Sequence, residues 1–375
     1  MYVAEHIGNC GITTYLTNAQ VVHFTASEPL GPWHRKEVAV PISSNQWPSG
    51  SCPSAAVTPN GTVVMWIYRG GGKPKMGKDP WGNSCEGGAS PCGFAKHGCG
   101  PHAPKPPKQP RHEEMWHDEM SVGVGGSNSM LLAVSDSGPG GPFKPVVVEL
   151  EEKVSYSIAA PWILPNGTAF WVLQAPCSNK VCPNVLPGDG VAQCGGTCGT
   201  IIRGETWEGP YAVVARGACA RGEDHSIYVD QKGHFHCMSH RFSNATFPAG
   251  PFDATKDGGH SFSVDGRDPW YCADGKGGHE YCHLESPIAY NATIIYEESG
   301  VNRFGTRERP HMLVEDGVPK ALITSIQHCQ SPAIPDACTD DPRSCNISNH
   351  LCHNNWPGFM DRAWTSIAPL RTTKP

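Results

Sequence analysis

Two short acidic strings carry the residue types that proton-transfer chemistry needs: Gly222-Glu223-Asp224-His225 and Arg307-Glu308-Arg309-Pro310-His311. In each, a carboxylate stands beside a cation or an imidazole. A nearby positive charge lowers a carboxyl pKa, whereas burial or a second carboxylate raises it. Two acids held in different protonation states can protonate a leaving oxygen and activate a water, or attack directly. The structural alternative is that these acids bond buried backbone donors or pair with Arg221, Arg307 and Arg309. Taken together, Glu223, Asp224 and Glu308 favour chemistry over that alternative.

The strings are far apart in sequence, so the fold must bring them together. Each leads into an apolar run, a glycine turn and a second run, through Lys232-Gly233 and Asp316-Gly317 respectively. The same phrase occurs at Pro53–Trp66 around Asn60-Gly61 and at Ala160–Trp171 around Asn166-Gly167. Glycine at that place supplies the positive φ of a tight hairpin. A second phrase, Gly-Pro-aromatic, recurs at Gly31-Pro32-Trp33, Gly141-Pro142-Phe143 and Gly209-Pro210-Tyr211, each flanked by apolar strands. The two phrases alternate along the chain. From turn glycine to the next Gly-Pro the distance is 81 residues in one repeat and 43 in the next. The excess falls within residues 70–120, rich in Gly, Pro, Cys, Lys and His, which reads as a long surface insertion stapled by Cys85, Cys92 and Cys99. Residues 176–200 and 329–356 have the same character.

Four antiparallel strands per unit, repeated radially, is the propeller pattern. The expected fold is all-β, a single domain over residues 1–375, with five four-stranded antiparallel blades and long disulfide-stapled insertions. Four hairpin copies supply four blades, and Tyr2–Val22 with a closing strand at Ala363–Leu370 is expected to supply the fifth. A sandwich with repeated Pro-Asn-Gly turns is the alternative, which the alternation of two phrases disfavours. In a propeller the innermost strands line a central channel. Nine residues before each turn glycine lie Cys52, Ile158, Asp224 and Glu308, so Asp224 and Glu308 are expected at equivalent places on the mouth.

The string Gly222–His236 resembles the acidic strand–turn–strand of five-bladed propeller glycosidases of glycoside hydrolase families 43 and 32. Glu308-Arg309-Pro310 is similar to a phrase of some family-43-like enzymes. The resemblance implies an extracellular glycoside hydrolase acting on a poly- or oligosaccharide at the central funnel. It makes Glu223 the general-acid candidate and Asp224 or Glu308 an acid that positions substrate or tunes a pKa. Substrate-binding candidates are Asp265, His260, Arg309, His225, His240, His311 and Trp270. No cofactor is required, although eighteen histidines leave room for a metal ion in the central channel. Those families take a catalytic Asp from the first strand of the first blade. Here Met1–Ile7 looks like that blade's second strand, with Glu5 the only acid before Glu28. A shortened N-terminus is therefore expected. A catalytically inactive carbohydrate-binding or matrix propeller is the second reading.

Other motifs weigh less. Gly258-Gly-His260-Ser-Phe-Ser-Val-Asp265-Gly-Arg-Asp-Pro-Trp270 approaches the sialidase Asp-box, itself a structural turn, with Arg267 at a glycine position. His279-Glu280-Tyr281-Cys282-His283 matches H-E-x-x-H, whose zinc chemistry requires a helix. Gly275, Gly277, Gly278 and Pro287 oppose one, so a metalloprotease is the least favoured reading. Cys194…Cys198 and Cys345…Cys352-His353 suit loop disulfides better than zinc in a chain with 17 cysteines.

Sequons at Asn60, Asn166, Asn244, Asn291 and Asn346 join those cysteines in pointing to a secretory pathway. A net charge of −6 without a basic run excludes nucleic acid as the expected partner. No apolar run approaches a membrane span. Glycine (43) and proline (35) together favour many short strands and turns over helices. A monomer with a carbohydrate ligand is expected.

Overall fold

The structure is a computed structural model and describes residues 1–6, 19–42, 50–69, 127–176, 197–219, 222–242, 254–267, 269–272, 288–290, 293–296, 300–303, 306–327 and 363–370. These residues form a five-bladed β-propeller of antiparallel blades. The first blade holds β1 (Tyr2–His6), β2 (Ala19–Thr25) and β3 (His34–Val40). The second holds β4 (Gly50–Val57), β5 (Val63–Arg69), β6 (Ser127–Ser135) and β7 (Lys144–Val154). The third holds β8 (Ala159–Ile163), β9 (Ala169–Pro176), β10 (Thr197–Gly204) and β11 (Ala212–Arg216). The fourth runs β12 (Gly222–Val229), β13 (Phe235–Phe242), β14 (Ala254–Ser263) and β15 (Tyr271–Cys272), with β16 (Ile288–Tyr290) also paired to β14. A separate hairpin of β17 (Thr293–Tyr296) and β18 (Gly300–Arg303) precedes the fifth blade, β19 (Thr306–Glu315), β20 (Val318–Gln327) and β21 (Ala363–Pro369). No helix among the described residues is long and apolar enough to cross a membrane.

Both recurring phrases land where their chemistry predicts. Gly61, Gly167, Gly233 and Gly317 close the inner hairpins with φ between 74 and 90°, which only glycine adopts without strain. The three Gly-Pro-aromatic phrases each join the last two strands of a blade: β2 to β3, β6 to β7 and β10 to β11. The closing strand differs from expectation. β21 pairs with β20 over seven residues and completes the blade of Glu308 instead of the first blade. Its register places Ile323 opposite Ile367, matching apolar residue to apolar residue across the pair.

Period-two alternation explains why blades stack. Successive side chains of a strand point to opposite faces, and both faces of an inner blade are covered by neighbours. On β9, Trp171 and Leu173 join the core shared with the second blade, among Val64, Trp66, Met130 and Leu132. Phe170 and Val172 point the other way, into the core with Ile227, Phe235 and Trp270 of the fourth blade. Smaller clusters seal the first blade to the second around Val21 and Met65, and the fourth to the fifth around Tyr228 and Leu322. Among the described residues no such apolar cluster joins the fifth blade to the first. A disulfide between Cys219 and Cys237 ties the loop before β12 to β13.

Asn60 and Asn166, the two sequons within the described residues, sit exposed in hairpin turns, where their Oδ1 atoms accept the N–H groups of Thr62 and Thr168. The other three sequons lie outside the described residues, as do residues 70–126, 177–196 and 328–362 with most of the predicted insertions.

Trp171 is fully buried at the centre of the largest core cluster. Trp171→Ala should cost about 3–5 kcal/mol through lost burial and the cavity left behind, read as a fall in the denaturant midpoint. A midpoint unchanged within error would show that this inter-blade core does not carry the fold.

Candidate active site

The inner strands β4, β12 and β19 each break register just before the hairpin run, between Ser51 and Ser54, Glu223 and Ser226, and Glu308 and His311. Such a bulge leaves a residue out of the ladder and re-aims its side chain. Here that residue is left-handed: Cys52 at φ 50°, Asp224 at 54° and Arg309 at 54°. For non-glycine residues this costs about 1–3 kcal/mol each and persists only where the surroundings impose it.

The bulges correct the expected equivalence. Glu308 matches Glu223 and Ser51, while Arg309 matches Asp224 and Cys52. The count from the turn glycine misplaced the fifth blade by one because its shorter turn brings the glycine two places closer while its strand runs one residue longer. Asp316-Gly317 is a two-residue turn, whereas blades two to four turn over five residues.

A cavity of about 800 Å³ follows the propeller axis. At the mouth it is lined by Cys52, Asp224, His225, Arg309, His311 and His6. Arg309 approaches Asp224, Nε to Oδ2, at 3.8 Å and donates from Nη1 to Cys52 Sγ. Behind this ring, His240 Nδ1 lies 3.1 Å from Glu223 Oε1. Ligand atoms of Glu223, Asp224 and His240 all fall within 4.8 Å of one another. The Ser226 hydroxyl donates to the Pro310 carbonyl and locks the fourth blade to the fifth.

Burial pushes the Asp224 carboxyl up to about 7; Arg309 opposes this, and the charges of Glu223 and Glu308 add to it. For His240 burial works against the charged form. The hydrogen bond to Glu223 and the charges of Glu308, Glu223 and Asp224 outweigh it and raise the imidazole to about 9. Arg309 is held firmly protonated: burial opposes its charge, but Cys52, Asp224 and the two glutamates favour it. Burial, then the charge of Arg309, drives His311 and His6 down to about 4. At neutral pH the mouth therefore combines a poised carboxyl and two neutral imidazoles, with the His240 imidazolium beside Glu223 behind it. That division of protonation states is what an acid–base pair requires.

The other predicted residues are placed as follows. His225 and His311 line the cavity and His240 stands behind it. His260 Nε2 instead meets His236 Nδ1 at 2.9 Å, in a stack with Tyr228. Asp265 is exposed and accepts the Arg267 N–H at 3.0 Å, closing its own turn. Trp270 is fully buried in the core between the third and fourth blades, where no sugar can stack on it. Sequence reading missed His6 and Cys52. Cys52 was visible in the nine-residue count. His279–His283 and the Cys345–His353 group lie outside the described residues. Among the described residues, Glu223, Asp224 and His240 are the group that could hold a cation, which would compete with the His240 proton.

No protein-family model matches the chain, and no curated protein matches its sequence. Similar solved structures include an exo-β-1,3-galactanase from Clostridium thermocellum, 9% identical over 100% of this chain and 57% of that chain, TM-score 0.47. A family 43 endo-arabinanase from Bacillus licheniformis is 12% identical over 99% of this chain and 93% of that chain, TM-score 0.45. A family 43 β-1,3-galactosidase is 11% identical, covering 88% of this chain, and the chain spans 50% of its length, TM-score 0.43. These likenesses concern the fold.

His240 binds its proton more tightly folded (about 9) than at its ordinary value of 6.5. The folded state then holds the extra proton, so this group's contribution to stability is full below pH 6.5 and is lost as pH rises through about 9. Urea unfolding across that window should show a fall in wild type that His240→Gln flattens. Parallel profiles would contradict the pairing with Glu223.

Proposed function

We propose that the chain is a glycoside hydrolase that cleaves an oligo- or polysaccharide at the propeller mouth, outside the cell. The observation that carries this reading is Asp224, which lines the cavity 3.8 Å from Arg309, with Glu223 and Glu308 near enough for their charges to help burial raise it toward neutrality. Asp224 is the proton donor to the leaving glycosidic oxygen. Glu223, facing the His240 imidazolium, is the ionised carboxylate that activates water or stabilises the developing positive charge on the sugar. Burial keeps Asp224 protonated against the pull of Arg309, and His225 and His311 offer hydrogen bonds to sugar hydroxyls. Cysteine abundance and the sequons support an extracellular place of action, and the weak negative charge without a basic run argues against a nucleic-acid partner.

One observation favours the second reading, a carbohydrate-binding propeller without catalysis. Glu5, the acid of β1, accepts from Arg35 at 3.0 and 2.9 Å and from Gln20 at 2.6 Å, and does not line the cavity. Among the described residues, the first blade thus sends no carboxylate to the mouth.

A panel of aryl glycosides and plant and algal oligosaccharides, assayed for released sugar, separates the two. Hydrolysis that falls by about 10²–10⁴-fold in Asp224→Asn and in Glu223→Gln supports the enzyme. Binding of a glycan without cleavage supports the lectin-like reading. Hydrolysis that survives both substitutions would overturn the assigned roles.

A further inference from the structure

Asp224 stands on a backbone that the third blade holds in place. Its N–H lies within the bulge, outside the β12–β13 ladder, and the residue is buried. That N–H donates to Gln174 Oε1 at 2.6 Å. Gln174 belongs to β9, is 7% exposed and does not line the cavity. Its own main chain is clamped: Ser157 N–H donates to its carbonyl at 2.9 Å, and its N–H donates to the Ile158 carbonyl at 2.7 Å. Ile158 holds the third blade's place nine residues before the turn glycine, so Gln174 couples the mouth end of one inner strand to the bulge of the next.

We propose that Gln174 is a positioning residue of the site: its side-chain oxygen keeps Asp224 in the left-handed conformation that aims the carboxyl into the mouth between Glu223 and Arg309. A buried N–H must have an acceptor. Without Gln174 the nearest remedy is for residue 224 to return to extended geometry, which swings its side chain out of the cluster. A catalytic consequence rests on the glycoside-hydrolase reading, but the positioning is measurable without substrate.

Carboxyl ¹³C titration of Asp224, assigned with Asp224→Asn, reads this directly. Wild type should titrate near 7. In Gln174→Leu the midpoint should fall by about one unit or more, as the carboxyl leaves its buried, acid-flanked place. Gln174→Glu keeps an oxygen acceptor at the same reach and should titrate at or above the wild-type midpoint. An unchanged midpoint in folded Gln174→Leu, or a Gln174→Glu that behaves like it, overturns the proposal. Should Gln174→Leu fail to fold, amide exchange in wild type decides. Protection of the Asp224 N–H comparable to that of Tyr228 in the β12 ladder supports the contact, and fast exchange overturns it. A protein that cleaves no glycoside yet shows these shifts would remove the hydrolase reading and leave Gln174 in place.

Discussion

A left-handed residue inside an extended strand is unfavourable for any side chain but glycine, yet β4, β12 and β19 each carry one at the propeller mouth. These bulges decide which side chains face the axis. Each takes one residue out of the inner hairpin ladder and turns it toward its counterparts in the other blades. Cys52, Asp224 and Arg309 therefore meet although more than 250 residues separate the first from the last. The strain is held by contacts between blades, the Ser226 hydroxyl on Pro310 and Gln174 on the Asp224 amide. Site and scaffold are in this sense one structure.

Electrostatics follow from that placement. Asp224 is buried beside Arg309 and feels the charges of its acidic neighbours, so its protonation state depends on theirs. Arg309 favours ionised neighbours, burial favours a protonated Asp224, and Glu223 recruits the proton of His240. Burial, aided by the same guanidinium, keeps His6 and His311 neutral on the cavity wall. Burial and this one guanidinium together set the charge state of Asp224, His6 and His311.

Much of the fold was legible because its signals are local. A glycine turn between apolar runs and a Gly-Pro-aromatic corner need only a dozen residues to recognise, and their alternation revealed the blades. The partner of the closing strand was not legible, since β-pairing across a long insertion leaves no trace in spacing. Glu223, Asp224 and Glu308 could be found because acids are rare on inner strands. Their equivalence was misread by one residue because a two-residue turn and a five-residue turn carry the same glycine. Trp270 shows the limit of residue type: a tryptophan near acids reads as a sugar platform, but alternation along the chain sends it into an inter-blade core. Gln174 was invisible because its role depends on a contact between blades.

A crystal structure of the Glu223→Gln variant soaked with an oligosaccharide that the wild type cleaves tests the central claim most directly. The account predicts a glycosidic oxygen within hydrogen-bond reach of Asp224, with Arg309 and Glu308 at the edge of the same sugar ring. A sugar bound away from the axial mouth, or an Asp224 carboxyl turned out of the cavity, would contradict it.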